Sequence, residues 1–358
     1  MQGVSFRVHI IYCRSSVMTR ILFLFLVSSV AAALNSCNED ETTKPITPPP
    51  LDTTSHTYIW TIDTLGGFLS QVTGVFAFSD TDAWASGTFY IYDSAGVWHP
   101  ERDCNAAHWD GKKWTLLRLE PMFNGHPNFW YTYEVFGLAP DDLWLWPGTH
   151  WNGKKWTAYD MNLAHGKTLR IWGSRADDMY FVGENGSIVH WNGIEMKEIG
   201  EKTTAACRDV WGQGDTVMVA VSDYDLVSMR PGYILRIVNG NIIGKELISP
   251  NGNPISIWQN DGIWYTAGCS SVFMYNGVQW ADVKYLDRCF IGIRGTARND
   301  VCFTMENGKT IHFNGKSWST ILEPIIPQYW CMCLAVAGRM VLVGGRQDYG
   351  LILRGTHL

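Results

Sequence analysis

Short apolar runs alternate with turn residues along most of the chain, and the pattern returns at intervals of about 40 residues. The clearest unit is KTLRIWGSRADDMYFVGENGSIVHWNGIEMKEIG, residues 167–200. Its apolar stretches TLRIW, MYFVG, SIVHW and EMKEI are separated by GSRADD, ENG and Asn192-Gly193. Short apolar runs bounded by Gly, Asn and Asp are typical of strands joined by hairpins. The unit therefore predicts a four-stranded antiparallel sheet.

Further copies of the unit align on the apolar residue that precedes the Trp-Gly pair of this segment. The aligned residues are Val75, Val135, Ile171, Val210, Ile257, Ile293 and Val336. All are Val or Ile, which suits a packed inner strand. Four antiparallel strands repeated at about 40 residues are the signature of a propeller blade. We therefore expect an all-β, seven-bladed β-propeller over 58–358.

The last copy of the unit lacks its fourth strand, because MVLVGG and LILRGTHL supply only the second and third before the chain ends. The missing strand should carry a Trp followed by alternating residues. YIWTIDTL, residues 58–65, has this pattern and matches KKWTAYDM at 154–161. We expect the N-terminal strand to complete the last blade, which closes the ring and removes free sheet edges.

The heptapeptide HWNGKKW at 150–156 nearly repeats HWDGKKW at 108–114, and three looser copies follow. We interpret it as the hairpin between the third and fourth strands, with positive φ at both Asn and Gly and with Trp109, Trp151 and Trp191 packed between blades. The motif resembles the tryptophan-rich propeller repeats of bacterial secreted proteins. That resemblance implies the fold and says little about activity. The repeated turn carboxylates are interpreted as hairpin caps; they are Asp80, Asp82, Asp141, Asp142, Asp177, Asp178 and Asp300.

The N-terminal 37 residues are predicted to be a targeting segment rather than part of the fold. Met18-Thr19-Arg20 precedes the apolar run ILFLFLVSSVAAAL, which is too short to span a membrane and fits a secretory signal. The run ends in LNSC, which resembles the lipobox of bacterial lipoproteins. The resemblance implies lipidation at Cys37, with Met18 as the start and 1–17 as an upstream extension. The alternative is an ordinary cleaved signal.

Residues 38–57, NEDETTKPITPPPLDTTSHT, are polar, acidic and rich in proline. Such a segment buries no core, and we expect a disordered tether. The acidic run directly after Cys37 resembles the surface-export signal of some Gram-negative lipoproteins, and a solvated tether explains it equally well. Together these features imply a protein that is lipid-anchored in the bacterial outer membrane and either surface-exposed or periplasmic. The membrane contact is expected through the N-terminal lipid only.

Composition narrows the classes of partner. The formal charge is −6, charged residues are 17%, and no run of Lys and Arg exceeds two, so a nucleic-acid footprint is absent. The propeller segment has an odd number of cysteines without regular spacing, which argues against a disulfide framework and leaves individual pairings open. No Cys-x-x-Cys occurs. We expect no metal and no cofactor, and most of these cysteines to be small buried residues.

Insertions into the repeat indicate where a ligand would bind. They fall at 88–107, 118–131, 222–232, 246–254 and 322–330, all in second-to-third or fourth-to-first connections, which strand alternation places on one face. Long loops on one face of a repeat array are usual binding sites. The candidate contacts in these loops are Tyr92, Trp98, His99, Phe123, His126, Trp130 and Tyr224. Their aromatic side chains either stack on a ligand or fold over the opening of the central channel of the propeller.

The residue before the aligned apolar position is charged in three adjacent units: Glu134, Arg170 and Asp209. We expect these side chains near the axis, with Arg170 between the two carboxylates. Such a group is either a buried ion network or the polar floor of a ligand site.

Two functions fit these features. The first is a monomeric binding or scaffold module for an envelope protein or a glycan, which resembles in layout the propeller lipoproteins that scaffold outer-membrane assembly. The alternative is a carbohydrate-active enzyme, a glycosidase or lyase, with acid and base drawn from His99, Glu101 and Asp103 or from Glu134 and Asp209. Catalytic motifs such as G-x-S-x-G and H-E-x-x-H are absent from the sequence, and we assign no catalytic residue.

Overall fold

A computed structural model describes residues 53–162, 164–223, 231–249 and 252–358, with the backbone alone at 270, 286 and 287. The predicted signal segment with Cys37, most of the predicted tether, and Tyr224 lie outside these residues. Within them, no helix is long and apolar enough to cross a membrane. The only helical elements of this part of the chain are two 3₁₀ turns, Pro100–Arg102 and Glu184–Gly186.

The described chain is built mostly from short strands in consecutive sheets that are antiparallel except at one pairing, which confirms the predicted all-β fold. Strand β1 is Tyr58–Leu65. The next sheet is β2 (Gln71–Ser79), β3 (Asp82–Phe89), β4 (Cys104–Trp109) and β5 (Trp114–Leu117). A small hairpin, β6 (Met122–Phe123) and β7 (His126–Pro127), extends the sheet of β8 (Val135–Ala139), β9 (Asp142–Leu145), β10 (Thr149–Trp151) and β11 (Trp156–Ala158). Two four-stranded sheets follow: β12 (Thr168–Arg175), β13 (Asp178–Gly183), β14 (Ile188–Trp191) and β15 (Met196–Glu198); and β16 (Ala206–Gln213), β17 (Thr216–Ser222), β18 (Tyr233–Val238) and β19 (Asn241–Leu247).

The next six strands form one continuous sheet: β20 (Pro254–Asn260), β21 (Ile263–Tyr275), β22 (Trp280–Ala297), β23 (Asp300–Met305), β24 (Thr310–Phe313) and β25 (Trp318–Leu322). The long strand β22 pairs with β21 through residues 280–289 and with β23 through residues 290–297. It therefore serves two repeat units in turn, as the outer strand of one and the inner strand of the next. Strand β21 likewise pairs with β20 through residues 263–268 and with β22 through residues 269–275, so it supplies two strands of blade five. With both divisions, the strand pairing is consistent with the seven predicted blades, numbered one to seven from β2.

The N-terminal strand closes the ring as predicted. The last sheet has the order β1-β28-β27-β26, where β26 is Trp330–Ala337, β27 is Met340–Arg346 and β28 is Gly350–His357. Strand β1 is antiparallel to β28 from Tyr58↔His357 to Leu65↔Gly350. The Trp60 indole donates to the Ile321 carbonyl of blade six, 2.7 Å away. The first strand of the fold thus occupies the position that the end of the sequence leaves empty.

The HWNGKKW motif forms the hairpin between the third and fourth strands, as predicted, but its turn differs. Trp151 pairs with Trp156, and four residues lie between them. Only Gly153 has positive φ, at +78°, and its added Cβ would lie 3.0 Å from Asp141. Asn152 instead uses its side chain, because its Oδ1 accepts from the amides of the two following lysines. The prediction of positive φ at both residues was therefore wrong.

The contact between the hairpin glycine and the aspartate of the first-to-second turn defines the two faces of the disc. Gly153 lies against Asp141 in the first-to-second turn of its blade, and Gly193 lies against Asp177 in the same way. We call this side, made of first-to-second and third-to-fourth turns, the turn face. Second-to-third and fourth-to-first connections lie at the other ends of the strands, and we call that side the loop face.

The histidine of the motif has a partner on the neighbouring strand. In four blades its Nε2 lies within hydrogen-bond distance of the aspartate that begins the second strand, so these aspartates are cross-strand partners rather than hairpin caps. The distances are 2.9 Å for His108–Asp82, 2.8 Å for His150–Asp142, 2.8 Å for His190–Asp178 and 3.0 Å for His312–Asp300. The recurrence of His and Asp in the repeat is therefore structural.

The core lies between blades, where each inner sheet face packs on its neighbour. One cluster joins Val72 and Val75 of blade one to Cys333 and Leu342 of blade seven. The motif tryptophans pack as predicted, each against the preceding blade. Trp109 lies under Arg354 of blade seven, Trp151 joins the cluster around Ala106 of blade one, and Trp191 contacts Trp144 and Tyr159 of blade two.

Cysteines in the described residues divide into one pair and five free thiols. Cys269 of β21 is bonded to Cys289 of β22, 20 residues further along the chain. The irregular spacing of the cysteines did not predict this cross-link. The free thiols are all buried, as expected; they are Cys104, Cys207, Cys302, Cys331 and Cys333.

Candidate functional site

The insertion into blade one folds around a single buried carboxylate. Asp103 is fully buried and accepts hydrogen bonds from the Trp98 indole at 3.1 and 3.2 Å and from the Tyr131 hydroxyl at 2.9 Å. It also accepts from the Ile91 amide at 3.0 Å. The ring of Trp98 nevertheless remains 47% exposed. The insertion therefore anchors the polar edge of this ring and displays its face.

An apolar patch surrounds this ring on the loop face. The Tyr92 backbone forms a bridge to Trp98, and its hydroxyl donates to the Phe68 carbonyl at 3.3 Å. Phe68 in turn meets Tyr349 edge-on at 6.3 Å between ring centroids. We define the loop-face patch by its exposed side chains, which are 44% to 57% accessible: Phe68, Leu69, Val97, Trp98 and Tyr349.

Three of these patch residues lie outside the long insertions that predicted the site. Phe68 and Leu69 lie in the short connection Gly66–Ser70 between blades seven and one, and Tyr349 lies in the tight connection between β27 and β28. The available signal was two consecutive large apolar residues between glycines and a serine. Side chains at such a position have no strand to pack under.

His99 lies between two carboxylates on the same insertion. Its Nε2 is 3.2 Å from Asp93 and its Nδ1 is 3.0 Å from Glu101. Hydrogen bonds that His99 donates to Asp93, and then to Glu101, raise the pKa of His99. Asp103, which we grouped with them, faces the indole and tyrosine instead. No group of three or more potential metal ligands occurs in the part of the chain that is described, and the interaction orders the loop.

The axial charges form two pairs rather than the predicted triad. Arg170 Nη1 donates to Glu134 at 3.0 Å, and Arg170 Nη2 donates to the Met332 carbonyl at 3.3 Å. Asp209 is held by Arg294, whose two terminal nitrogens lie 3.0 and 3.1 Å from its oxygens. All three side chains line one cavity, but Arg170 donates only to Glu134 of the two carboxylates, because a second arginine reaches Asp209 from blade six.

The sequence does contain an indication that Arg294 has a special role. It follows the aligned apolar residue of blade six, where five of the other units have Phe or Trp. Its guanidinium lies 4.9 Å from the centre of the Trp211 ring, which occupies that position in blade four. An arginine in place of a ring at an inner position indicates a buried anion nearby.

The two carboxylates have opposite electrostatic character. Burial raises the pKa of Glu134 to about 7, although Arg170 and Arg294 oppose the shift. Burial also acts on Asp209, but Arg294 and Arg170 outweigh it and leave the pKa of Asp209 lowered. Asp209 additionally accepts from Ser256 Oγ and from the amides of Val210 and Ile257. With its oxygens engaged in this way, Asp209 has no free lone pair suited to a general base.

The remaining candidates lie on blade two. Phe123 and His126 are paired on the small β6–β7 hairpin, and Phe123 meets Trp130 edge-on at 6.3 Å. Phe123 and Trp130 line a cavity together with Trp146. His126 is exposed on the hairpin. Apart from Tyr224, which lies outside the described residues, the predicted site residues fall into three groups: the blade-one insertion, the blade-two hairpin with Trp130, and the axial channel, whose lining includes Glu134, Arg170 and Asp209.

No protein-family model matches the chain, and no curated protein matches it in sequence. Solved β-propeller structures do match its fold. YCF48 bound to D1 peptide is 10% identical with a TM-score of 0.60, covering 87% of this chain and 99% of that one. YCF48 from Cyanidioschyzon merolae is 15% identical with a TM-score of 0.57, covering 83% and 98%. Virginiamycin B lyase from Staphylococcus aureus, with quinupristin, is 12% identical with a TM-score of 0.59, covering 84% and 100%. At these identities the likeness is one of fold.

Proposed function

We propose that this protein is a binding or scaffold module that holds a protein partner on its loop face. The observation that carries the proposal is the loop-face patch, in which large apolar side chains from three connections are exposed together. Contiguous apolar surface of this kind on a folded domain usually marks an interaction site. The similar fold of YCF48 bound to D1 peptide supports a propeller as a scaffold for a polypeptide ligand.

The patch has the composition of an interface centre. Aromatic rings are enriched at interfaces because they bury a large area at a small cost in conformational entropy. Trp98 is held by its indole N–H and Tyr92 by its hydroxyl, so part of this cost is met before a partner arrives. We therefore favour binding over the carbohydrate-active alternative, whose candidate base Asp209 is engaged by five hydrogen bonds.

The test is retention of a native partner by immobilised full-length variants. Phe68→Ala and Trp98→Ala should each weaken retention, with a loss of at least about 2 kcal/mol for a central ring, or roughly thirtyfold in affinity. Matched controls are Ile194→Ala and Val278→Ala, which remove side chains that are 87% and 83% exposed in turn-face hairpins. If the control variants lose the partner and the patch variants retain it, the interface lies on the turn face instead.

We further propose that the module is lipid-anchored in the bacterial envelope through Cys37. The signal-like segment and LNSC support the anchor, and the Cys269–Cys289 disulfide supports an oxidising compartment outside the cytoplasm. Cys37→Ser should release the protein into the soluble fraction and abolish labelling with palmitate. Unchanged membrane fractionation of that variant would contradict the anchor, without bearing on the patch.

A further inference from the structure

A second surface feature lies on the loop face of blade two. A cavity of about 330 Å³ opens between the β6–β7 hairpin, the β9–β10 connection and the segment that leads into β12. Its lining is mostly apolar and aromatic. The residues that form these walls are Phe123, Trp130, Trp146, Pro147, Tyr159 and Met161.

A lysine at this cavity lacks a carboxylate partner. Lys167 lines the cavity, and its Nζ lies 3.2 Å from the centre of the Tyr133 ring and 5.6 Å from that of Trp146. Among the described residues no Asp or Glu oxygen is within 4.0 Å of this nitrogen. Burial lowers the pKa of Lys167, and Glu184 acts in the opposite direction. An incoming anion would therefore relieve the cost of holding this charge away from water.

The other polar side chains in the lining are Asp160, Asn162 and Thr168. Asp160 accepts a hydrogen bond from the Asn162 amide at 2.8 Å, and Thr168 is buried. The Asp160 carboxylate would repel an anion, so Lys167 Nζ is the place in this cavity where a negative group would bind. Rings on several sides and one cation suit a ligand with an apolar body and a single negative group.

We propose that this cavity binds a carboxylate carried on an apolar group, with the carboxylate at Lys167 Nζ and the apolar body against Trp146 and Trp130. Charge-assisted hydrogen bonds from the ammonium would fix the carboxylate, and the rings would remove the apolar body from water. The inference deepens the proposed function, since a chain end with an apolar last residue has this chemistry. The site would then select which partner the loop-face patch retains.

A direct test uses small probes and needs no partner. The full-length protein is titrated with N-acetylphenylalanine and with N-acetylphenylalanine amide, and binding is followed by ligand-observed NMR. For a ligand of this size a dissociation constant of about 1 mM is expected for the acid. The amide should bind about tenfold to a hundredfold more weakly, because it lacks the charge-assisted contact.

Variants assign the difference to one residue. Lys167→Met keeps the length of the side chain and should reduce binding of the acid to the level of the amide. The matched control is Lys245→Met, which removes a lysine that also lies over a tyrosine, 3.6 Å from the Tyr233 ring. That variant should leave both affinities unchanged. Circular dichroism of each variant checks that the fold is intact.

Three outcomes would overturn the proposal: equal binding of acid and amide, no binding of the acid up to about ten times the expected constant, or an unchanged preference in Lys167→Met. Tighter binding of glucuronate than of N-acetylphenylalanine would also overturn it, because the preferred carboxylate ligand would then be an acidic sugar rather than an apolar acid. Loss of partner retention in the patch variants is a separate measurement. The two proposals can therefore fail independently.

Discussion

The Asp209–Arg294 pair provides the sharpest test of how the channel is held together. We predict that Arg294→Met strongly destabilises the protein. Arg294 is one-fifth exposed and Asp209 is almost completely buried. Removing the guanidinium leaves a buried carboxylate without its main counter-ion.

The magnitude follows from the hydrogen bonds that are lost. Asp209 accepts five in the native protein, two of them from Arg294. Each hydrogen bond to a charged group contributes about 1.5–3 kcal/mol, so two correspond to about 3–6 kcal/mol. Breaking one side of a buried ion pair typically costs about 3–5 kcal/mol, which agrees. The three remaining hydrogen bonds and Arg170 keep Asp209 ionised, so we expect a cost of about 4 kcal/mol.

The assay is urea unfolding followed by tryptophan fluorescence at pH 7. Arg294→Met should lower the midpoint without a change in slope, since the surface exposed on unfolding stays the same. Arg294→Lys keeps the positive charge but loses the bidentate contact with Asp209. Its unfolding midpoint should therefore lie between those of Arg294→Met and the wild type. A loss below about 1 kcal/mol in Arg294→Met, or a larger loss in Arg294→Lys, would refute the reasoning.

Three further outcomes are expected. Because the folded pKa of Glu134 is about 7 against 4.5 unfolded, stability should fall by up to roughly 3 kcal/mol as pH rises from 5 to 8, and Glu134→Gln should remove that slope in unfolding titrations. The His56 Nδ1 lies 2.9 Å from that of His312, and its pKa is lowered by burial and by the histidine charges. Acidification below about pH 6.5 should therefore reduce the protection of amides 53–57 against exchange, measured relative to the intrinsic rate at each pH, and His56→Phe should abolish that effect; pH-independent protection in the wild type would contradict it. Deleting 58–65 should open the edge of β28 and cost several kcal/mol of a typical 5–15 kcal/mol, seen as a lower unfolding midpoint.

The fold could be predicted because each unit repeats its own local chemistry. The Val or Ile recurs in all seven inner strands, the Gly of the third-to-fourth hairpin recurs in blades one to six, and a Trp stands beside that Gly in all of these except blade four. Such signals concern contacts within a blade or with its neighbour. The match of 58–65 to the strand that follows HWNGKKW was also enough to predict ring closure.

The site was harder to predict because its partners come from distant blades. Arg294 and Asp209 are 85 positions apart, and only the ring brings them together. Phe68 and Tyr349 meet across the closure of the ring, at opposite ends of the sequence. Cys269 and Cys289 are opposed only through the long pairing of β21 with β22. The position of a residue within its repeat can mark it as unusual, as for Arg294, but it does not identify the distant partner.

The place where the chain enters the propeller has a mechanical consequence. Asn314 in a turn-face hairpin donates to the Thr54 carbonyl at 3.0 Å, so the chain before β1 arrives at the turn face, and the last residues of the predicted tether already contact the propeller. With the proposed anchor at Cys37 and a partner held on the loop face, tension would pull Tyr58 along the strand axis while the hairpin at Tyr349 is held at the other end. Strand β1 would then be loaded in shear, with all eight of its pairs to β28 sharing the force. Resistance to extraction would depend on the rate of forced unfolding rather than on equilibrium stability.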